Sequence, residues 1–183
     1  MISTIESLEK ELKEGKINSI YLLYGEETYL LESCLKKIKN QFGKLISGIN
    51  YIKIDSSNVN LLIPEMETPA FGYDKKLIIA RNIGLFKKDG RKKVQLNTEI
   101  VNKINSYIEK NLDTIKETIT LVFIEEEAEK NELYKTIEKL GIVCNFEELK
   151  PAQIVNRIKG ICKLYKVQID DYVVKYLIEC VRF

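Results

Sequence analysis

A chain of 183 residues has room for one main core and a small second module. Apolar residues at 45% and charged residues at 31% exclude a disordered chain, and 29 basic against 27 acidic side chains give no bulk charge for gripping nucleic acid or an anionic membrane. No apolar run reaches the ~18 residues of a membrane span, and Glu6, Glu9 and Lys10 break any signal-peptide core, so a cytoplasmic address is expected.

Ser3 and Glu6 have capping-box spacing ahead of Ile5, Leu8 and Leu12, which predicts a helix over Thr4–Glu14 closed by Gly15. Ile20–Tyr24 reads as a strand turning at Gly25 into a helix from Thr28, with Leu31, Leu35, Ile38 and Phe42 on one face as far as Gly43. Tyr51, Ile52 and Ile54 give a second strand, and Pro64 and Pro69 blur the segment around Met66 and Phe71. Leu77–Ala80 has the continuous apolar character of a strand covered on both faces. A basic loop, 87–93, leads to an amphipathic helix carrying Ile100, Val101, Ile104, Tyr107 and Ile108. Thr120–Ile124, a helix through Leu133, Tyr134, Ile137 and Leu140, and a strand Ile142–Phe146 complete the series.

Five strands alternating with helices predict a doubly wound, three-layer α/β sandwich on a five-stranded parallel sheet. The pattern changes after Phe146: Pro151 suits the first turn of a helix with Ile154, Ile158, Ile161 and Tyr165 on one face, and Asp170 caps another. The expected division is 1–148 and 149–183. The last helix runs to Phe183 without a cap, which suggests a longer natural chain.

Chemistry is conspicuous by what replaces it. A phosphate-binding loop after the first strand needs G-x-x-x-x-G-K-[ST], whose amides and lysine surround the phosphates. Here Gly25 is followed by Glu26 and Glu27, and Leu30, Leu31 and Glu32 hold the places of the second glycine, the lysine and the hydroxyl. Two carboxylates and no lysine oppose a polyphosphate, so no nucleotide cofactor is expected. Glu125, Glu126 and Glu127 have two readings, an acidic metal-binding strand end or a solvated sheet edge. There is no histidine for a zinc set or a catalytic dyad, and Cys34, Cys144, Cys162 and Cys180 are expected as reduced core residues. No catalytic residue and no metal site is therefore assigned. A divergent nucleotide-dependent ATPase or kinase using Glu125 or Glu126, and a nucleic-acid-binding module built on the basic loop, stand as alternatives.

Four segments in order, Tyr21–Ser33, Glu67–Ile79, Leu121–Glu125 and Val143–Pro151, resemble the delta subunit of the bacterial DNA polymerase III clamp loader. That resemblance implies a P-loop-like AAA+ module with a degenerate phosphate loop over 1–148, and the start of a small helical lid from 149. The family's collar domain has no counterpart in these residues. It further implies a non-catalytic subunit that opens the sliding clamp (the beta subunit) alongside the tau/gamma and delta prime subunits, with primer-template DNA contacted only within the complex. The clamp-binding segment would be Met66, Pro69, Ala70 and Phe71, with Phe71 as aromatic anchor and Ala70 smaller than the aliphatic residue often found there. A core role for Phe71 is the competing reading. Lys87, Lys88, Arg91, Lys92 and Lys93 would be a DNA contact or a solvated loop.

Overall fold

The computed structural model describes residues 1–87 and 93–181, and within 93–97 the backbone alone. Its contacts divide the chain into two units, Met1–Phe146 and Glu147–Phe183.

The first unit is built on β1 (Ile2–Ser3), β2 (Ile20–Tyr24), β3 (Tyr51–Ile54), β4 (Lys76–Arg81), β5 (Ile119–Glu125) and β6 (Ile142–Asn145). All pairings are parallel, in the order β1-β6-β2-β5-β4-β3. The sheet thus has six strands where the sequence suggests five. The additional one, β1, has two residues and pairs Ile2 with Val143 and Ser3 with Cys144. Too short for any periodicity, it exists only through a partner some 140 residues away. Ser3 is therefore strand, and the cap of α1 (Ile5–Lys13) is Thr4, whose Oγ1 accepts from the Ser7 amide at 3.2 Å.

Strand alternation divides the core between two faces. On one, Ile20, Leu22, Ile78, Ala80, Leu121 and Phe123 meet α3 (Leu62–Glu67), α4 (Lys93–Lys110), α5 (Leu112–Thr118) and α6 (Glu132–Leu140). Phe86 and Phe123 stack edge to face there at 5.5 Å. On the other lie α1 and α2 (Thr28–Asn40), which bury Leu8, Leu12, Leu31, Cys34, Leu35 and Ile38. Full burial of such side chains contributes roughly 1.5–3 kcal/mol each, which fixes both layers on the sheet. Tyr21 is wholly buried; its hydroxyl accepts from the Asn18 amide at 2.7 Å, and desolvation pushes its pKa up to about 12.

Cys34 and Cys144 are core residues as expected, whereas Cys162 is half-buried and Cys180 exposed. Both departures lie in the second unit, where α7 (Pro151–Leu164) and α8 (Asp171–Val181) bury few side chains. Among the described residues no helix is long and apolar enough to cross a membrane.

Candidate functional site

In a doubly wound sheet the carboxyl ends of the strands, where the order reverses, are the usual ligand crevice. Here that point lies between β2 and β5, and the turn after β2 occupies it. The turn is closed by its own backbone. Gly25 donates to Glu125 O at 3.3 Å, Glu27 donates to Phe146 O at 2.9 Å, and Phe146 donates to Tyr24 O at 2.6 Å. Gly25 has φ +127°, and a Cβ there would meet Phe146 O at 2.3 Å. The glycine is thus required by the close approach of the segment after β6. The amides of Gly25, Glu27 and Thr28 are already engaged, Thr28 donating to Glu26 O at 2.7 Å, and Leu30 and Leu31 are buried in the helix face.

The acidic run resolves into three different environments. Glu125 is buried, and its Oε1 accepts from the Ile83 and Gly84 amides at 2.9 and 3.3 Å. Desolvation, only partly offset by those amides, raises its pKa to about 7. Glu126 is exposed and pairs with Lys87 at 3.6 Å, and Glu127 is exposed. No group of acidic, cysteine or histidine side chains suited to a metal ion occurs among the described residues. Lys88, Arg91 and Lys92 lie outside the described residues, and Lys93 opens α4 with its side chain outside them.

The opposite, amino-terminal end of the sheet carries the aromatic segment. Thr68 ends α3, its amide and Oγ1 donating to Pro64 O at 3.1 and 2.8 Å. Ala70–Tyr73 then form a turn closed by Tyr73 N donating to Ala70 O at 2.9 Å, with Gly72 at φ +79° in the left-handed place. The turn presents Phe71 to solvent at 74% exposure, with Pro69 exposed and Ala70 half-buried beside it. Met66 does not join them. It is 4% exposed and packs in the core with Leu62, because α3 turns that face to the sheet.

What holds this loop was not legible as a motif. Lys76, the first residue of β4, is buried, and its Nζ donates to Glu65 O at 2.9 Å while facing Glu65 Oε2 at 3.4 Å. Lys75 Nζ donates to Lys116 O at 2.8 Å, near the end of α5. One lysine ties the loop back to α3 and the other ties it to the adjacent helix, so Phe71 stands on a base fixed at two points. A lysine opening an otherwise apolar strand is the one sequence signal of this arrangement.

A parallel, doubly wound α/β sheet, with the turn after β2 closed by its own backbone and a braced aromatic loop at the far end, defines the class of fold. A model of the family described as "DNA polymerase III, delta subunit" matches residues 21–147, and the chain belongs to that family. It is 24% identical over 172 residues to the DNA polymerase III subunit delta of Bacillus subtilis (strain 168), a match covering 92% of this chain and 49% of that protein. The fold is similar to that of the solved Bacillus subtilis DNA clamp loader delta protein (YqeN), with a TM-score of 0.74 at 21% identity over 95% of this chain and 51% of that one. The chain therefore spans about half the length of the relatives it matches.

Proposed function

We propose that this protein acts in DNA replication as the clamp-binding part of a clamp-loader delta subunit, gripping the sliding clamp and favouring its opened form. The observation that carries this reading is Phe71, a large apolar side chain held in solvent on a turn braced through Lys75 and Lys76. An exposed aromatic with a preorganised backbone loses little conformational entropy when a partner pocket closes over it. Pro69 and Ala70 form the flank of the anchor.

No covalent step is needed. A surface that fits an opened ring interface better than a closed one shifts the ring equilibrium by its difference in affinity. The self-closed turn at Gly25 supports a subunit that does not hydrolyse ATP, leaving that to the tau/gamma subunits. Glu147–Phe183 would form the start of an AAA+ lid, delta prime would be a further neighbour, and the basic loop from Lys87 would approach primer-template DNA within the assembled loader. The test is capture of the same organism's sliding clamp by this chain and by its Phe71→Ala variant. Equal capture by the two folded proteins rejects the anchor.

A further inference from the structure

The edge strand β3 buries Ile52 and Ile54 on one face and leaves Tyr51 and Lys53 on the other. That second face belongs to the α2 layer, and Leu35 and Lys39 of α2 border a gap beside β3 and β4. A cleft of about 700 Å³ remains, open to solvent and lined by Lys39, Tyr51, Lys53, Ser56, Arg81 and Asn82. Lys39 Nζ from α2 and Lys53 Nζ from β3 stand 5.5 and 5.6 Å from the centroid of the same Tyr51 ring.

Two ammonium groups drawn to one ring repel each other, and neither has a carboxylate partner among the described residues. Arg81, at the far side, is paired with Glu32 of α2. The one carboxylate lining the cleft, Asp55, is turned into its own loop, accepting from Ser57 N at 2.8 Å and Ser57 Oγ at 2.5 Å. An anion bound beside Lys39 and Lys53 would relieve the repulsion, and Ser56 brings a hydroxyl to the same cleft. The cleft is open to solvent, and the Ser57 amide that lines it is already bonded to Asp55 rather than free for a small phosphate. A polyanionic strand lying along the sheet edge fits an open cleft, and lysines set around an aromatic ring, here the half-buried Tyr51, are a usual means of holding one.

We propose that the cleft between β3 and α2 is a phosphodiester-binding site, in which Lys39 and Lys53 hold the backbone of a single nucleic-acid strand beside Tyr51. The site is distinct from the Phe71 loop and from the basic loop at Lys87, and it does not depend on clamp binding. A simpler role for the same residues is charge that keeps an exposed strand edge from pairing with another chain.

The experiment measures binding of a fluorescent 20-nucleotide oligothymidylate to the chain by anisotropy across salt concentrations. The Lys39→Ala/Lys53→Ala pair should weaken binding about tenfold at low salt and reduce the logarithmic salt slope by roughly 1.4, two phosphate contacts of about 0.7 each. Lys39→Arg/Lys53→Arg should retain binding, as should a control pair outside the cleft, Lys10→Ala/Lys36→Ala. Melting temperatures establish that all variants are folded. Absence of measurable binding by the unmodified chain, or equal affinity and slope in the alanine pair, overturns the proposal and leaves the edge-protection role. Inorganic phosphate displacing the strand at submillimolar concentration would reassign the cleft to a small anion and overturn it as well.

Discussion

Replacing Phe71 by alanine separates an anchor from a core residue because the two roles place the loss in different measurements. A phenylalanine side chain offers about 200 Å² of surface, and at 74% exposure about 150 Å² of it is free for a partner. Burying that area is worth up to about 4 kcal/mol at ~25 cal/mol per Å², and central aromatic anchors typically cost about 2–4 kcal/mol when truncated. Clamp affinity should therefore fall about thirtyfold to nearly a thousandfold. Folding should suffer little. A fully buried phenylalanine costs roughly 3–5 kcal/mol on truncation, and the quarter of Phe71 that is covered scales this to about 1 kcal/mol, a melting shift of roughly 2–4 °C. Calorimetric titration of the clamp and thermal denaturation of both proteins provide the two numbers. A large loss of thermal stability, or unchanged clamp affinity in a folded variant, would refute the reasoning.

Millimolar ATP with magnesium should leave the melting temperature unchanged, since the amides of Gly25 and Glu27 are bonded to Glu125 O and Phe146 O; a rise of several degrees in thermal denaturation would contradict this. Glu125, with its pKa raised from 4.5 to about 7 in the folded chain, contributes stability that is fully present below pH 4.5 and is lost as pH rises through about 7. Glu125→Gln keeps an acceptor for the Ile83 and Gly84 amides and should flatten that decline, a difference of up to about 3 kcal/mol read from urea unfolding between pH 4.5 and 8. Cys180 should react with a thiol reagent at once, whereas Cys34 and Cys144 should wait for unfolding, since burial pushes the Cys144 thiol up to about 12; mass spectrometry of the labelled protein resolves the order.

Elements that carry their own burial were legible from the residues. Ile20–Tyr24 and Leu121–Ile124 are uninterrupted apolar runs because both sheet faces are covered, and Ile5, Leu8 and Leu12 mark a helix by spacing alone. Elements defined by a distant partner were not. Nothing local distinguishes Ile2–Ser3 as a strand, and α5 has Ile115 as its one buried residue among Thr, Lys, Glu and Asp. At the site, the exposed setting of Phe71 between Pro69 and Gly72 could be read, since turn formers flank it without a helical stripe. The inward rotation of Glu125 and the bracing by Lys75 and Lys76 could not, because each depends on a backbone group brought close by the fold. Met66 shows the reverse error, a residue near the exposed turn whose helix phase directs it to the core.

The strand order bears on how the chain is made. The centre of the sheet, β2, is flanked by β5 and β6, each beginning about 100 residues or more downstream, and β1 must find Ile142–Asn145. At a synthesis rate of roughly 5–20 residues per second, the first 20 or so residues wait on the order of ten seconds for their neighbours to leave the ribosome. Throughout that interval the apolar stripe of α1 and the run Ile20–Leu23 have no sheet to dock on. Within this domain α1 and β2 are therefore the segments longest exposed during synthesis, and holdase chaperones should engage them ahead of the later strands.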